Sequence, residues 1–363
     1  MSKHKEWLFL FACAPALTGF SVGVFDVALF LMFFYASVRG KVKLSFNSTL
    51  LCSFFLSVIT LSSILNLDTI VFRNYFQWVL FTLILYILYS LLSSGFFDVY
   101  RALKVWGYGI FLNFFAVIIQ NVFYDKVLFN DGLGNIHPIP GVPIIRASGL
   151  LFNPNYLAAF GILSFIIFIF IGKNKSAVVS GFVAFSSFSK TAFLIPALLL
   201  FKIACWGSAL KKYFSFVVFF LVGSIFFEKI YKLFEHRMKN ANSFSDRLDT
   251  VTGILSEKSF TIIEIFFGFG PNMDFAEGMT RVHSKFLGVF FQFGVTGFLL
   301  MLAAFFSVAY TGISKSNCKA LVGCFLISWF ILAMLSSFTF FTYDWIGLFL
   351  IGFLWKVKLD STR

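Results

Sequence analysis

The chain has 363 residues, 59% of them hydrophobic and 12% charged, and 29 Lys and Arg against 16 Asp and Glu give it a net charge of +13. With a mean hydropathy of +0.90, it holds more apolar surface than one water-soluble core can hide, so the bilayer must be its solvent. A closed barrel is excluded by pattern, because stretches such as 80–92 and 156–172 are apolar on every face instead of alternating.

In chain order, the first apolar run covers 7–22. No small-residue cleavage site follows it and a second run begins at once, so it is expected to remain as a span. Further spans are predicted at 24–38, 47–65, 76–95, 107–124, 156–172, 177–188, 191–205, 213–227, 286–311, 320–335 and 341–355, each near the length a helix needs to cross hydrocarbon. The expected fold is an all-α polytopic membrane protein, a single transmembrane domain over 1–363 with about twelve transmembrane helices. The five cysteines (Cys13, Cys52, Cys205, Cys318 and Cys324) show no Cys-x-x-Cys spacing and read as small apolar packing residues.

Orientation follows from Lys and Arg, which short cytoplasmic loops retain. Lys3 and Lys5, Arg39 to Lys43, Arg101 and Lys104, Lys173 and Lys175, Lys211 and Lys212, Lys315 and Lys319, and Lys356 to Arg363 fall in alternate connections. Both termini are therefore expected in the cytoplasm. Two larger loops, about 125–155 and 228–285, then face the other side, with a short connection near 66–75 and tight turns near Gly23, Ser189 and Ser336. That side should be poor in basic residues, yet it receives Arg73, Arg146, Lys190, Arg247, Arg281 and Lys285 among others. Translocated loops as long as 228–285 escape the charge rule, but Arg146, Lys190, Arg281 and Lys285 lie within a few residues of a span end, where an ionisable group is a functional candidate. An anionic ligand is the expected partner, beside the lipid bilayer itself.

Motifs for nucleotide, dinucleotide or zinc chemistry are absent, as is any Asp-x-Asp pair, so no cofactor, no metal and no nucleic-acid partner is expected. Carboxylates near the spans are few, chiefly Asp26, Asp98 and Asp344, which leaves a proton-coupled transporter little to work with. The first large loop closes on RASGLLFNPN, 146–155. Asn153-Pro154-Asn155 reads as a helix start with Asn153 or Asn155 as cap, and an arginine beside a helix N-terminus makes an anion site. The alternative for Arg146 is a snorkelling interfacial anchor. SFSK, 187–190, places Lys190 between two short spans at the same face. The second large loop offers Ser245-Asp246-Arg247, then FGFGPN at 267–272, then Arg281-Val282-His283 opening a long span. Cations around His283 would lower its pKa and keep it neutral, able to accept a proton.

From His283 the chain reads HSKFLGVFFQFGVTG: His, Ser284, nine further residues, then Gly294 and Gly297 as Gly-x-x-Gly. This resembles a signature of the O-antigen ligase and O-antigen polymerase superfamily, in which His is followed by Asn, Ser or Gln, nine residues and that glycine pair. RASGLLFNPN resembles the family's Arg-x-x-Gly element before a span, SFSK its Ser-Arg turn, and Ser245-Asp246-Arg247 with FGFG the start and Gly-x-Gly of its large periplasmic loop. The resemblance covers roughly 140–310 and keeps the order of the pieces; Lys190 departs from the usual Arg, retaining charge but not bidentate geometry.

The resemblance implies a metal-independent enzyme of the bacterial inner membrane, with its active site facing the periplasm. It would move a glycan from an undecaprenyl-pyrophosphate carrier to an acceptor glycan, either lipid-linked or on lipid A core. A chain-length regulator protein is a further partner the family suggests. Arg146 and Arg247 would stabilise the leaving pyrophosphate and His283 would receive the acceptor proton. Arg281, Lys190, Asn153, Asn155, Ser284 and Lys285 would bind pyrophosphate or glycan. A polymerase joining repeat units is the leading expectation; a ligase transferring the finished glycan, and a transporter or flippase of lipid-linked glycan, are the alternatives.

Overall fold

A computed structural model of the protein describes residues 24–67, 72–95, 99–123, 137–138, 145–151, 154–187, 189–195, 198, 260–271, 285–316, 319–335 and 342–353. Among these the chain is helical, apart from one antiparallel pair of two-residue strands. The helices are α1 (Val24–Val38), α2 (Phe46–Leu65), α3 (Phe72–Ser93), α4 (Val99–Val122), α5 (Pro154–Phe170), α6 (Asn174–Ser186), α7 (Ile262–Phe267), α8 (Lys285–Lys315), α9 (Lys319–Leu335) and α10 (Thr342–Gly352). Among the described residues four stretches are long and apolar enough to cross a membrane: Phe46–Leu65, Asn74–Ser93, Ala102–Val122 and Phe286–Lys315. Shorter apolar helices, among them Pro154–Phe170 and Lys319–Met334, stand beside them. The spans expected at 7–22 and 213–227, most of 191–205 and both termini lie outside the described residues.

Helix α4 begins eight residues before the expected 107, taking in Arg101 and Lys104. Charge does not stop a helix where long side chains can reach water, and Lys104 Nζ lies 5.9 Å from the Tyr108 ring. The spans expected at 156–172 and 177–188 are present as α5 and α6, but the span expected from 191 opens on a 3-10 turn, Lys190–Phe193.

Hydrocarbon gives helices no hydrophobic reason to associate, so close van der Waals contact and small residues must hold the bundle. Gly161 of α5 supplies that contact: a Cβ there would lie 2.8 Å from the Cβ of Ala184 and 3.0 Å from the Ser180 carbonyl oxygen on α6. α5 is buried along almost its whole length, including Leu157, Ile162, Leu163, Ile167 and Phe168. An all-round apolar helix is what such a central position requires. Aromatic rings fill the space beyond it, with Trp106 edge-on to Phe160 at 5.0 Å and Trp329 stacked on Phe305 at 5.0 Å. The outer helices expose apolar side chains instead, such as Phe54, Ile64 and Phe115, as expected of surfaces that face lipid.

Short connections make consecutive helices alternate in direction, which defines two ends. One carries Arg39, Lys41, Lys43, Lys173, Lys175, Lys315 and Lys319; this is the basic end. The C-termini of α2, α4 and α6, the N-termini of α3, α5 and α8, and the described part of the second large loop lie at the other. Of the two large loops, only 137–138, 145–151 and 260–271 are described.

Candidate functional site

Two polar assemblies lie at the end opposite the basic loops. The first is built on the segment running into α5. Strand β2 (Ile145–Arg146) pairs antiparallel with β1 (His137–Pro138), setting Arg146 opposite His137. The Ala147 N–H then donates to the Ser186 carbonyl at the end of α6, at 3.1 Å. Gln120 of α4 holds the next turn: its Oε1 accepts from the N–H groups of Ser148 (3.2 Å) and Gly149 (2.9 Å), and its Nε2 donates to the Gly149 carbonyl at 3.1 Å. Asn113 Oδ1, two turns earlier on α4, accepts from the Leu150 N–H at 3.0 Å. The chain here makes a single 3-10 turn, Gly149–Leu151, whose first N–H groups are satisfied by these two side chains.

Helix α5 opens with Pro154 at its first position, where the missing N–H is harmless. Asn155 is thus inside the first turn and does not serve as the cap; Asn153 lies outside the described residues. Asn155 instead reaches sideways. Its Oδ1 accepts from Ser189 Oγ at 3.0 Å, and Ser189 Oγ lies 2.9 Å from Thr191 Oγ1. Ser187 braces this turn, accepting from the Ser189 N–H at 3.1 Å while its own hydroxyl donates to the Ala184 carbonyl. Lys190 follows directly, as the first residue of the 3-10 turn. The two segments singled out in sequence, 146–155 and 187–190, therefore meet at one membrane edge.

The second assembly joins α7, α8 and α2. α7 starts with a capping box in which Thr261 Oγ1 accepts from the Glu264 N–H and the Glu264 side chain accepts from the Thr261 N–H. It ends at Gly268 (φ +72°), and the chain then runs along α8: Phe269 N–H donates to the Phe291 carbonyl and Gly270 N–H to the Gln292 carbonyl, both at 2.9 Å. Those carbonyls are available because α8 is broken at Gly294, whose φ of +63° and ψ of −166° are not helical. Ser62 Oγ also donates to the Gln292 carbonyl at 2.9 Å, and Trp78 Nε1 donates to Gln292 Oε1 at 2.8 Å. A Cβ on Gly268 would lie 2.3 Å from the Gln292 carbonyl carbon, and one on Gly294 would lie 2.4 Å from that of Phe266. The Gly-x-Gly of the loop and the Gly-x-x-Gly of the span thus form one contact.

No protein-family model and no curated protein matches this chain.

Of the residues proposed from sequence, Arg146, Asn155, Lys190 and Lys285 fall among the described residues. Lys285 is the first residue of α8, nine before Gly294. Asn153, Arg247, Arg281, His283 and Ser284 lie outside them. The sequence reading passed over Asn113, Gln120, Ser62, Trp78 and Gln292. A signal for the first two was present: seven residues apart in an apolar helix, they share a face, and polar side chains inside a span need protein partners. The first assembly can present hydroxyl and amide groups to a ligand, beside the start of α5, whose dipole favours an anion.

Proposed function

We propose that this protein is a membrane glycosyltransferase. It takes an oligosaccharide from undecaprenyl pyrophosphate at the periplasmic face of the bacterial inner membrane and joins repeat units, as an O-antigen or related surface-polysaccharide polymerase does. The observation that supports this most is the meeting of 146–155 with 186–190 through Ala147–Ser186 and Asn155–Ser189, at the end away from the basic loops. Those two segments carry Arg146 and Lys190, the cations expected to stabilise charge on a departing pyrophosphate.

In this mechanism the acceptor hydroxyl attacks the anomeric carbon as the bond to the pyrophosphate oxygen breaks. His283 takes the hydroxyl proton, and Arg146, with Arg247 or Arg281, stabilises the charge that develops on the leaving phosphates. A single displacement inverts the anomeric centre. A second reading, the ligase that moves finished glycan to lipid A core, is favoured by the His283-Ser284, nine-residue, Gly294-x-x-Gly297 spacing.

A deletion strain separates these readings when its lipopolysaccharide is run on a gel. Core bearing one repeat unit identifies a polymerase, bare core identifies a ligase, and an unchanged ladder overturns both. In complementation, Arg146→Ala and His283→Ala should each lower activity by about two to three orders of magnitude while the protein still inserts. Full activity in either variant removes that residue from the mechanism.

A further inference from the structure

Helices α2 and α8 touch at one end and part at the other. Ser62 and Gln292 bond across them, and the rings of Phe55 and Phe293 meet edge-on at 5.9 Å. Toward the basic end the two helices separate, leaving a cavity of about 370 Å³ backed by α3 and α10. Its walls are apolar, including Leu51, Phe55, Phe81, Met301, Ala304 and Phe349. Ala303 and Ser307 of α8, also in its lining, are exposed on the outer surface, so the cavity opens sideways, where hydrocarbon would be. Polar groups gather at the basic end: Asn47, Ser48 and Tyr86, whose hydroxyl lies 2.8 Å from Thr49 Oγ1. The loop leading into α2 carries Arg39, Lys41 and Lys43, all exposed, the last of them four residues before Asn47. It is fixed in place where the Lys43 N–H donates to Ser94 Oγ at 2.7 Å.

We propose that this cavity is a binding site for one acyl chain of an anionic phospholipid, its headgroup held at Asn47 and Ser48 and by Lys41 and Lys43. The lined length supports a chain: Trp78 to Tyr89 is eleven residues, about 16 Å of helix, close to half of the roughly 30 Å hydrocarbon core that a single leaflet fills. Charge selects the headgroup, since basic side chains at a membrane surface attract anionic lipid. The same geometry separates this site from the carrier lipid. The polar mouth is at the basic end, whereas Arg146, Asn155 and Ser189 are at the opposite end, so a carrier held there would place its pyrophosphate a membrane's thickness from this mouth. The inference stands whether or not the protein is a glycosyltransferase.

Native mass spectrometry of the full-length protein, washed in lipid-free detergent and offered dipalmitoyl phosphatidylglycerol, dipalmitoyl phosphatidylethanolamine or undecaprenyl phosphate, tests it. One phosphatidylglycerol should be retained, with a preference of about tenfold or more over phosphatidylethanolamine, as two basic groups near a headgroup would give. Ala304→Trp, which fills the cavity, should abolish retention. The pair Lys41→Glu and Lys43→Glu should keep the chain bound but lose the headgroup preference. Equal retention by Ala304→Trp and the native protein, equal retention of both phospholipids, or a preference for undecaprenyl phosphate overturns the proposal. Should Ala304→Trp fail to give folded protein, Ser307→Phe obstructs the opening from its exposed side and is read in the same way.

Discussion

Gly268 and Gly294 occupy each other's ground: the backbone beside one is the chain that surrounds the other, across a gap with no room for a methyl group. Each also has a left-handed φ, which costs a residue with a side chain about 1–2 kcal/mol. Overpacking against backbone that cannot swing aside adds about 1–3 kcal/mol. Gly268→Ala and Gly294→Ala should therefore each destabilise the detergent-solubilised protein by about 3 kcal/mol or more, seen as a marked fall in its unfolding temperature. Gly172→Ala is the control, because its φ is +73° but nothing lies within 4 Å of the added Cβ. It should lose about 1 kcal/mol, the conformational part alone. Equal losses at all three positions would show that the clash contributes nothing.

At the scale of an element, α4 does more than cross the bilayer. Gln120 receives two buried backbone N–H groups from the 148–149 turn, and an unsatisfied buried donor costs about 1–3 kcal/mol. Gln120→Leu should lower stability by about 2 kcal/mol or more. If the enzyme reading is right, it should also shorten the surface glycan, because it loosens the backbone that leads to Arg146 without touching a charge. Thermal unfolding and a glycan gel on the same variant separate the two effects; native glycan on destabilised protein would confine Gln120 to a structural role. Most of the helices were legible in sequence, since an apolar run of bilayer length has few other uses: α2 and α9 lie within a few residues of the spans expected at 47–65 and 320–335. The break in α8 was not. The Gly-x-x-Gly of 294–297 was visible as a pattern, but glycine is also common in unbroken membrane helices, and only the approach of 266–270 decides that this one unwinds. Of the two caps that Asn153-Pro154-Asn155 offers, Asn155 is ruled out, because Pro154 takes the first helical position and leaves Asn155 inside the turn.

For the molecule as a whole, the described helices define two ends, and most lysines and arginines of the short connections gather at one of them, Lys190 being at the other. Retention of such loops in the cytoplasm predicts the sidedness. In a variant lacking the five native cysteines, a membrane-impermeant maleimide applied from the periplasm should label Ile262→Cys and leave Lys173→Cys unmodified until the inner membrane is opened. The reverse pattern would turn the molecule over and take the periplasmic chemistry with it. The Arg146 segment and the Lys190 turn could be predicted to share a face from charge and span order alone. Their actual contact could not, because it depends on Ser186, Ser189 and Asn155, small polar residues of a kind found in many membrane helices.

The loop's attachment to α8 has a mechanical meaning. Phe269 and Gly270 are bonded to carbonyls on the near side of the Gly294 break, and Gln292 there is held in turn by Ser62 and Trp78, so the loop is tied through α8 to α2 and α3. Anything that pushes on the loop must either break both hydrogen bonds or drag this part of α8 against α2 and α3. The unwound turn at Gly294 is then a clamp set inside the membrane, and a load on the loop outside would be felt by three helices within.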